Sequence, residues 1–323
     1  MQSKALLFFS FLFGLLLSPL TQGQTYPDRP ITILVGLAPG GSADINARIL
    51  SATLSKILKQ NVIVQNKPGV AGALSVAQMV TGNADGYTLL LTQSSTWVYP
   101  EAERLAGKKP LYELNQIEAI AQFSDDPLIM MVRSDSRWKT INDLIKEAKE
   151  NPNKITYGSS GNFGPAHLSV ELFAQAAGVQ FQQVPFAGGG PANMAMLAGT
   201  VDFSVGPPSV VIPQVKAGKA RAFLNTGSKR IKELPDIPTL KEAGFNTQYS
   251  FSTGIAAPAG TPEPILQILR NAIKEAVQSE DFKSKAESQG IVVSYLDSVA
   301  FKKNYTEESS RIIELLKKLM KVQ

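Results

Sequence analysis

The first ordered pattern in the chain is Ile31-Thr-Ile-Leu-Val35, a short β-branched run of the kind that fills a strand covered on both faces. After Gly36-Leu-Ala-Pro-Gly-Gly-Ser42, apolar residues Ile45, Ile49, Leu50, Leu54, Ile57 and Leu58 recur at helical spacing, which predicts a helix over 43–59. Ser42 is the expected N-cap, and Asp44 falls in the first turn, where the helix dipole favours a carboxylate. Asn61 to Gln65 is the next strand, followed by the turn Lys67-Pro-Gly-Val-Ala-Gly72 and a helix of small residues to about Val80. Asp85 to Leu91 combines a turn with a third strand. It delivers Thr92-Gln-Ser-Ser-Thr96, a polar cluster at a strand's C-terminal end, where open α/β sheets bind ligands. Residues 102–110, charged and small, read as a surface excursion.

Ile117 to Phe123 and Leu128 to Val132 predict strands separated by Ser124-Asp-Asp-Pro127, which reads as turn chemistry and as the first crossing between two lobes. The pattern then repeats: a helix from about Ile141 to Glu150, a strand at 154–157, the glycine-rich turn Gly158-Ser-Ser-Gly-Asn-Phe-Gly164, and a helix opened by Pro165 and stopped at Gly178. A strand over 179–186 leads into Ala187-Gly-Gly-Gly-Pro191 and a short helix ending near Gly199. Strands come next at 201–205 and 221–226, and Pro235-Asp-Ile-Pro238 introduces a further short helix. Ser250 to Pro258 reads as the return crossing, and helices at about 262–279 and 297–320 close the chain. The expected fold is α/β with two lobes, 24–124 plus 251–323 and 125–250, each a mixed open sheet flanked by helices. The turns at 36–42 and 158–164 then lie on different lobes.

Composition narrows the setting. Lys4, the apolar block from Ala5 to Leu17 and Ser18 to Gly23 read as a cleaved export signal, with cleavage after Gly23, so a periplasmic location is expected. The absence of cysteine excludes a lipid-modified cysteine, a disulfide and thiol chemistry. The net charge of +5 is scattered among acidic residues, which argues against nucleic acid and leaves only weak steering of small anions. One histidine and no acidic cluster with ligand spacing give no metal site, and no cofactor is expected.

The candidate chemistry sits in the turns. Gly40 and Gly41 carry no Cβ, so a ligand could reach the unpaired N–H groups at a helix start; a plain strand-to-helix connection is the alternative. Asp44 either bonds a ligand or only steadies its helix, and Ser94, Ser95 and Thr96 either contact a ligand's far end or merely cap the segment after them. His167 as a catalytic base would need Ser159 or Ser160 as partner, and no Gly-x-Ser-x-Gly elbow is present. Packing or fixing the turn, and contacting a ligand, both stay open for it.

These residues carry a resemblance. Pro30 to Val35 with Pro39 to Arg48, Val64 to Gly72, Asp85 to Leu90, Ile155 to Leu168, Val184 to Gly189, Leu234 to Gly244 and Ala257 to Pro262 resemble, in order, the Bug-type substrate-binding proteins, receptors associated with tripartite tricarboxylate transporters. The resemblance implies a two-lobed type II periplasmic binding protein that closes on its ligand like a flytrap. It also implies a small carboxylate held by backbone groups of two turns, partly through water. Ala38, Gly40, Gly41 and Asp44 would form one wall, and Gly161, Asn162, Phe163, Gly164 and His167 the other, with the transporter's membrane subunits as partners. A monomer that makes and breaks no bond is expected; a periplasmic sensor, or an enzyme on the same fold, is the alternative. Two positions depart from the family pattern: Gly206-Pro-Pro208 stands where many relatives carry Asp or Asn, and Phe251 stands for the aromatic before the return crossing.

Overall fold

The computed structural model describes residues 26–320. The expected export segment, residues 1–23, lies outside them.

The chain begins with β1 (Ile31–Val35), α1 (Ser42–Leu58), β2 (Val62–Asn66), α2 (Ala73–Val80), β3 (Thr88–Thr92), α3 (Ser94–Leu105) and β4 (Ile117–Pro127). It continues through β5 (Ile129–Arg133), α4 (Ile141–Glu150), β6 (Thr156–Ser159), α5 (Pro165–Ala177), β7 (Gln182–Pro185), α6 (Gly189–Leu197), β8 (Phe203–Gly206), α7 (Pro208–Lys216) and β9 (Ala220–Asn225). It returns in β10 (Ser250–Pro258) and ends with α8 (Glu263–Gln278), α9 (Glu280–Ser288), β11 (Val293–Leu296) and α10 (Ser298–Met320). Two mixed sheets result, ordered β11-β4-β10-β3-β1-β2 and β7-β6-β8-β5-β9. In each, the parallel strands carry the glycine-rich turns at their C-terminal ends.

Four readings of the sequence need correction. Ser124 to Pro127 is not a turn: it is the end of β4, paired with β10 from Pro127↔Ser250 onward. Its polar side chains find partners, which lets the strand run on through them. Residues 102–105 belong to α3, whose start is fixed by a capping box of Gln93 and Thr96 and whose Trp97 stacks flat on Tyr305 of α10, ring centroids 3.7 Å apart. The segment after Pro235 is a run of turns rather than a helix, because Asn225 and Thr226 already bind its backbone and hold it extended across β9. Helices α7 and α9 and strand β11 carry no expectation at all; α7 opens on Pro208 and holds Pro213 inside it, which masks its pattern.

Strands β4 and β10 carry the chain between the lobes, and a buried polar cluster ties them to α1. Asn46 is fully buried, and its Nδ2 lies 3.1 Å from Ser124 Oγ, 3.1 Å from Asp126 Oδ2 and 3.3 Å from Thr253 Oγ1. Ser124 and Thr253 hydroxyls meet at 2.6 Å, and the Val292 N–H donates to Asp126 Oδ1 at 2.6 Å. Burial pushes Asp126 up to about 7 against the pull of these hydrogen bonds.

Because that value lies above the ordinary 3.8, the group's contribution to stability is fully present below about pH 4 and is lost as pH rises through about 7. At about 1.4 kcal/mol per pH unit, the effect reaches roughly 4 kcal/mol. Asp126→Asn should therefore flatten the fall in unfolding free energy between pH 5 and 8 in urea titrations, whatever it costs at pH 5. Curves that stay parallel for variant and wild type would show that Asp126 titrates normally.

Candidate functional site

The turn after β1 is shaped by one carboxylate. Gly40 adopts φ +79°, a backbone conformation costly for other residues, and its N–H donates to Asp44 Oδ2 at 3.0 Å. Arg48 Nε donates to the same oxygen at 3.0 Å. Burial opposes ionisation of Asp44, but the bonds from Arg48 and Gly40 outweigh it and hold the carboxyl below its usual value. Asp44 is thus spent on the turn. Gly41, not Ser42, is the N-cap: it is extended at φ −84°, ψ 171°, and its lack of a side chain leaves the helix start without a cap bond. The N–H groups of Ser42 and Ala43 have no acceptor among the described residues, the first helical bond being Ile45 N–H to Gly41 O.

The turn after β6 is shaped by the histidine. Gly161 sits at φ +99°, and Phe163, unusually for a bulky residue, at φ +62°. Phe163 N–H donates to His167 Nδ1 at 2.9 Å, which pins the left-handed bend. Burial pushes His167 down to about 4, so the ring is neutral and its proton belongs on Nε2, 3.9 Å from Glu171 Oε1. Glu171 in turn accepts from the Tyr157 hydroxyl at 3.0 Å. With Nδ1 taken, and Ser159 Oγ accepting from Gln183 Nε2 at 2.7 Å, neither serine is hydrogen-bonded to the imidazole. The turn-fixing role is the one the geometry displays.

Across the seam the pairing differs from the expected one. Rather than 36–42 facing 158–164, the first turn meets 187–190: Ala38 N–H donates to Ala187 O at 3.2 Å, and a Cβ at Gly41 would stand 3.6 Å from the Gly190 nitrogen. The turn at 158–164 meets the short 3₁₀ segment Val70–Gly72, with a Cβ at Gly161 3.5 Å from Ala71. Ser95 Oγ and Gln93 Nε2 both donate to Ala71 O, at 2.9 and 3.1 Å, while Ser94 Oγ donates to Glu308 Oε1 at 3.4 Å. Ser95 therefore holds the wall that faces Gly161. Asn162 and Phe163 line a cavity of about 460 Å³ together with Leu37, Val70, Tyr99 and Phe186. Gly164 caps α5.

Sequence reading missed the part played by Ala187-Gly-Gly-Gly-Pro191, although a third glycine-rich strand-to-helix junction was visible there. In α6, Gly189 and Gly190 N–H groups have no acceptor among the described residues, the first helical bond being Ala192 N–H to Gly188 O. Two helix N-termini, α1 and α6, thus face each other across the cleft, each with partial positive charge and free donors. Each end, taken by itself, favours negative charge. Phe251 packs in the core at 1% exposure. Among the described residues, no group of three or more His, Asp or Glu side chains could hold a metal, and no helix is long and apolar enough to cross a membrane.

Residues 46–320 match the family model described as the tripartite tricarboxylate transporter family receptor. The chain belongs to this family. It is similar to protein BugT of Bordetella pertussis, 33% identical over 83% of this chain and 82% of that one. Among solved structures it resembles MatC from Rhodopseudomonas palustris with bound malate, with a TM-score of 0.83 and 27% identity over 90% of this chain and 100% of that one. It also resembles R. palustris Rpa4515 with adipate, with a TM-score of 0.85 and 25% identity over 90% and 97%.

His167 lies below its ordinary 6.5, so its contribution to stability is complete above about pH 6.5 and lost as pH falls through about 4, at most roughly 3 kcal/mol. His167→Asn keeps an acceptor but cannot titrate. Its unfolding free energy should match wild type at pH 7 to within about 1 kcal/mol and exceed it at pH 4. A wild-type advantage at pH 4 would remove the neutral-imidazole account.

Proposed function

We propose that this protein is a periplasmic solute receptor that captures a small carboxylic acid between its lobes and presents it to the membrane subunits of a tripartite tricarboxylate transporter. The observation that carries the reading is the opposed pair of N-termini, α1 and α6, with N–H groups of Ser42, Ala43, Gly189 and Gly190 lacking acceptors among the described residues. Each alone would be an ordinary helix start. They meet at Gly41 and Gly190, and because the Asp44 carboxylate is taken up by Gly40 and Arg48, those donors are left for an anion from outside. The malate and adipate named for the two R. palustris neighbours are both small carboxylates, which supports that class. Ala38, Gly40 and Asp44 shape the lobe-one wall, Ser94 and Ser95 support it, and Gly161 to Gly164 with His167 shape the opposite one. Capture and release need no bond chemistry, in keeping with a histidine already bonded to backbone.

A thermal-shift screen of C3 to C6 acids against their amides and alcohols tests the class. An acid at about 100 times its dissociation constant should add roughly 2.7 kcal/mol of stability, and the matching amide should add far less. Equal stabilisation by amides would sink the anion clamp. Ser42→Pro tests the donor set, because proline suits the first helical position and removes one free N–H. Calorimetry with the best acid should show affinity lower by about 10- to 150-fold, the worth of one hydrogen bond to a charged group, at unchanged melting temperature. Undiminished affinity would take Ser42 N–H out of the site.

A further inference from the structure

Asn193 in α6 is 4% exposed, and neither its amide nitrogen nor its amide oxygen has a hydrogen-bond partner among the described residues. A buried carboxamide left without bonds is costly, so its missing partner calls for an explanation. The fold indicates where that partner would be. Asn193 comes three residues after Gly190 and four after Gly189, which puts it on the same face of α6 as the free N–H groups, one turn below the contact with Gly41. Opposite it is the end of β8. A Cβ at Gly206 would lie 3.3 Å from Asn193 Nδ2 and 3.6 Å from Oδ1, so glycine at 206 is what leaves the amide its room. The hydroxyl of Ser204, on the same face of β8 as Gly206, and that of Ser209, in the first turn of α7, are also buried and unpartnered. Three buried neutral polar side chains thus have no partner among the described residues.

The chemistry of a carboxamide decides what can complete it. Nδ2 only donates and Oδ1 only accepts. A carboxylate would satisfy Nδ2 and leave Oδ1 bare, whereas an ammonium would do the reverse. A hydroxyl or a carboxamide both donates and accepts, and the two serine hydroxyls can turn to suit either. We propose that Asn193, in the space left by Gly206, is the specificity-determining residue for the far end of the ligand. It selects a carboxylic acid that also bears a hydroxyl or carboxamide over one ending in an ammonium or a second carboxylate. This rests on the carboxylate reading of the cleft and extends it to the ligand's other end.

Calorimetry on the full chain with succinate, succinamate, 4-hydroxybutyrate, 4-aminobutyrate and butyrate, and with the corresponding C5 set, tests this. Wild type should prefer the hydroxy and amide acids by about tenfold or more over the amino acid and the diacid. Asn193→Leu, close in volume, should lose that preference while binding butyrate or valerate at least as well. Its melting temperature without ligand should hold or rise, because an unsatisfied amide is replaced by an apolar side chain. Gly206→Ala leaves Asn193 in place but crowds it, and should weaken the preferred acids selectively. Should Asn193→Leu keep the wild-type preference, or melt several degrees lower with affinities intact, Asn193 is structural and the inference fails alone. If wild type binds none of the acids, the carboxylate reading fails and this one with it.

Discussion

The architecture depends on the buried amide of Asn46. It sits one turn into α1 and reaches both strands that pass between the lobes, touching Ser124 and Asp126 of β4 and Thr253 of β10. The N-terminus of that same helix faces the cleft. One side chain therefore fixes the position of this helix start relative to the strands about which the lobes are joined. A shift of α1 would leave Ser124, Asp126 and Thr253 with fewer partners in a site from which water is excluded, so the helix end and the crossing strands are held as one unit.

Electrostatics along the seam come from the same burial. Asp126 is pushed up to about 7 by burial, and so is Glu308, where the charge of Asp125 adds to the effect. His167, on the other lobe, is pushed down to about 4. Acid and base thus shift toward neutrality from opposite sides: near neutral pH His167 is uncharged and the two acids are partly protonated. The start of α6 has no acidic residue in its first turn, whereas the start of α1 has Asp44. On the proposed reading, backbone N–H groups at these helix starts supply part of the charge complement to a carboxylate.

Features written in local sequence were legible, and those made by distant contacts were not. Pro165 at the first helical position and Gly178 in the left-handed conformation at the end mark α5 to the residue, and Thr140 with Asp143 marks α4. Ser124 to Pro127 has the composition of a turn, and pairing with β10, with bonds from the distant Asn46, Ser252 and Val292, makes it a strand. The glycine-rich turns could be located, but their pairing across the cleft is a property of the assembled lobes. Thus 36–41 faces 187–190, a match that no spacing encodes. Asn193 is hidden for a related reason. It lies among Ala192, Met194 and Met196, where one amide in a helix of small and apolar residues gives no periodic signal.

Glycine at the seam has a further consequence for closure. A Cβ at Gly188 would come within 3.1 Å of the Ala38 nitrogen, whereas one at Gly41 or Gly161 would stand at ordinary contact distance from the facing backbone. A side chain at 188 would need Ala38 to give way, and glycine there lets backbone meet backbone, as in the bond from Ala38 N–H to Ala187 O. Such a bond contributes only about 1 kcal/mol net, since an open cleft would offer both groups to water. Bringing α1 and α6 end to end works against it, because like partial charges approach. On the proposed reading, an anion that interacts with both helix ends favours the arrangement in which they meet, and that difference is what ligand binding converts into closure.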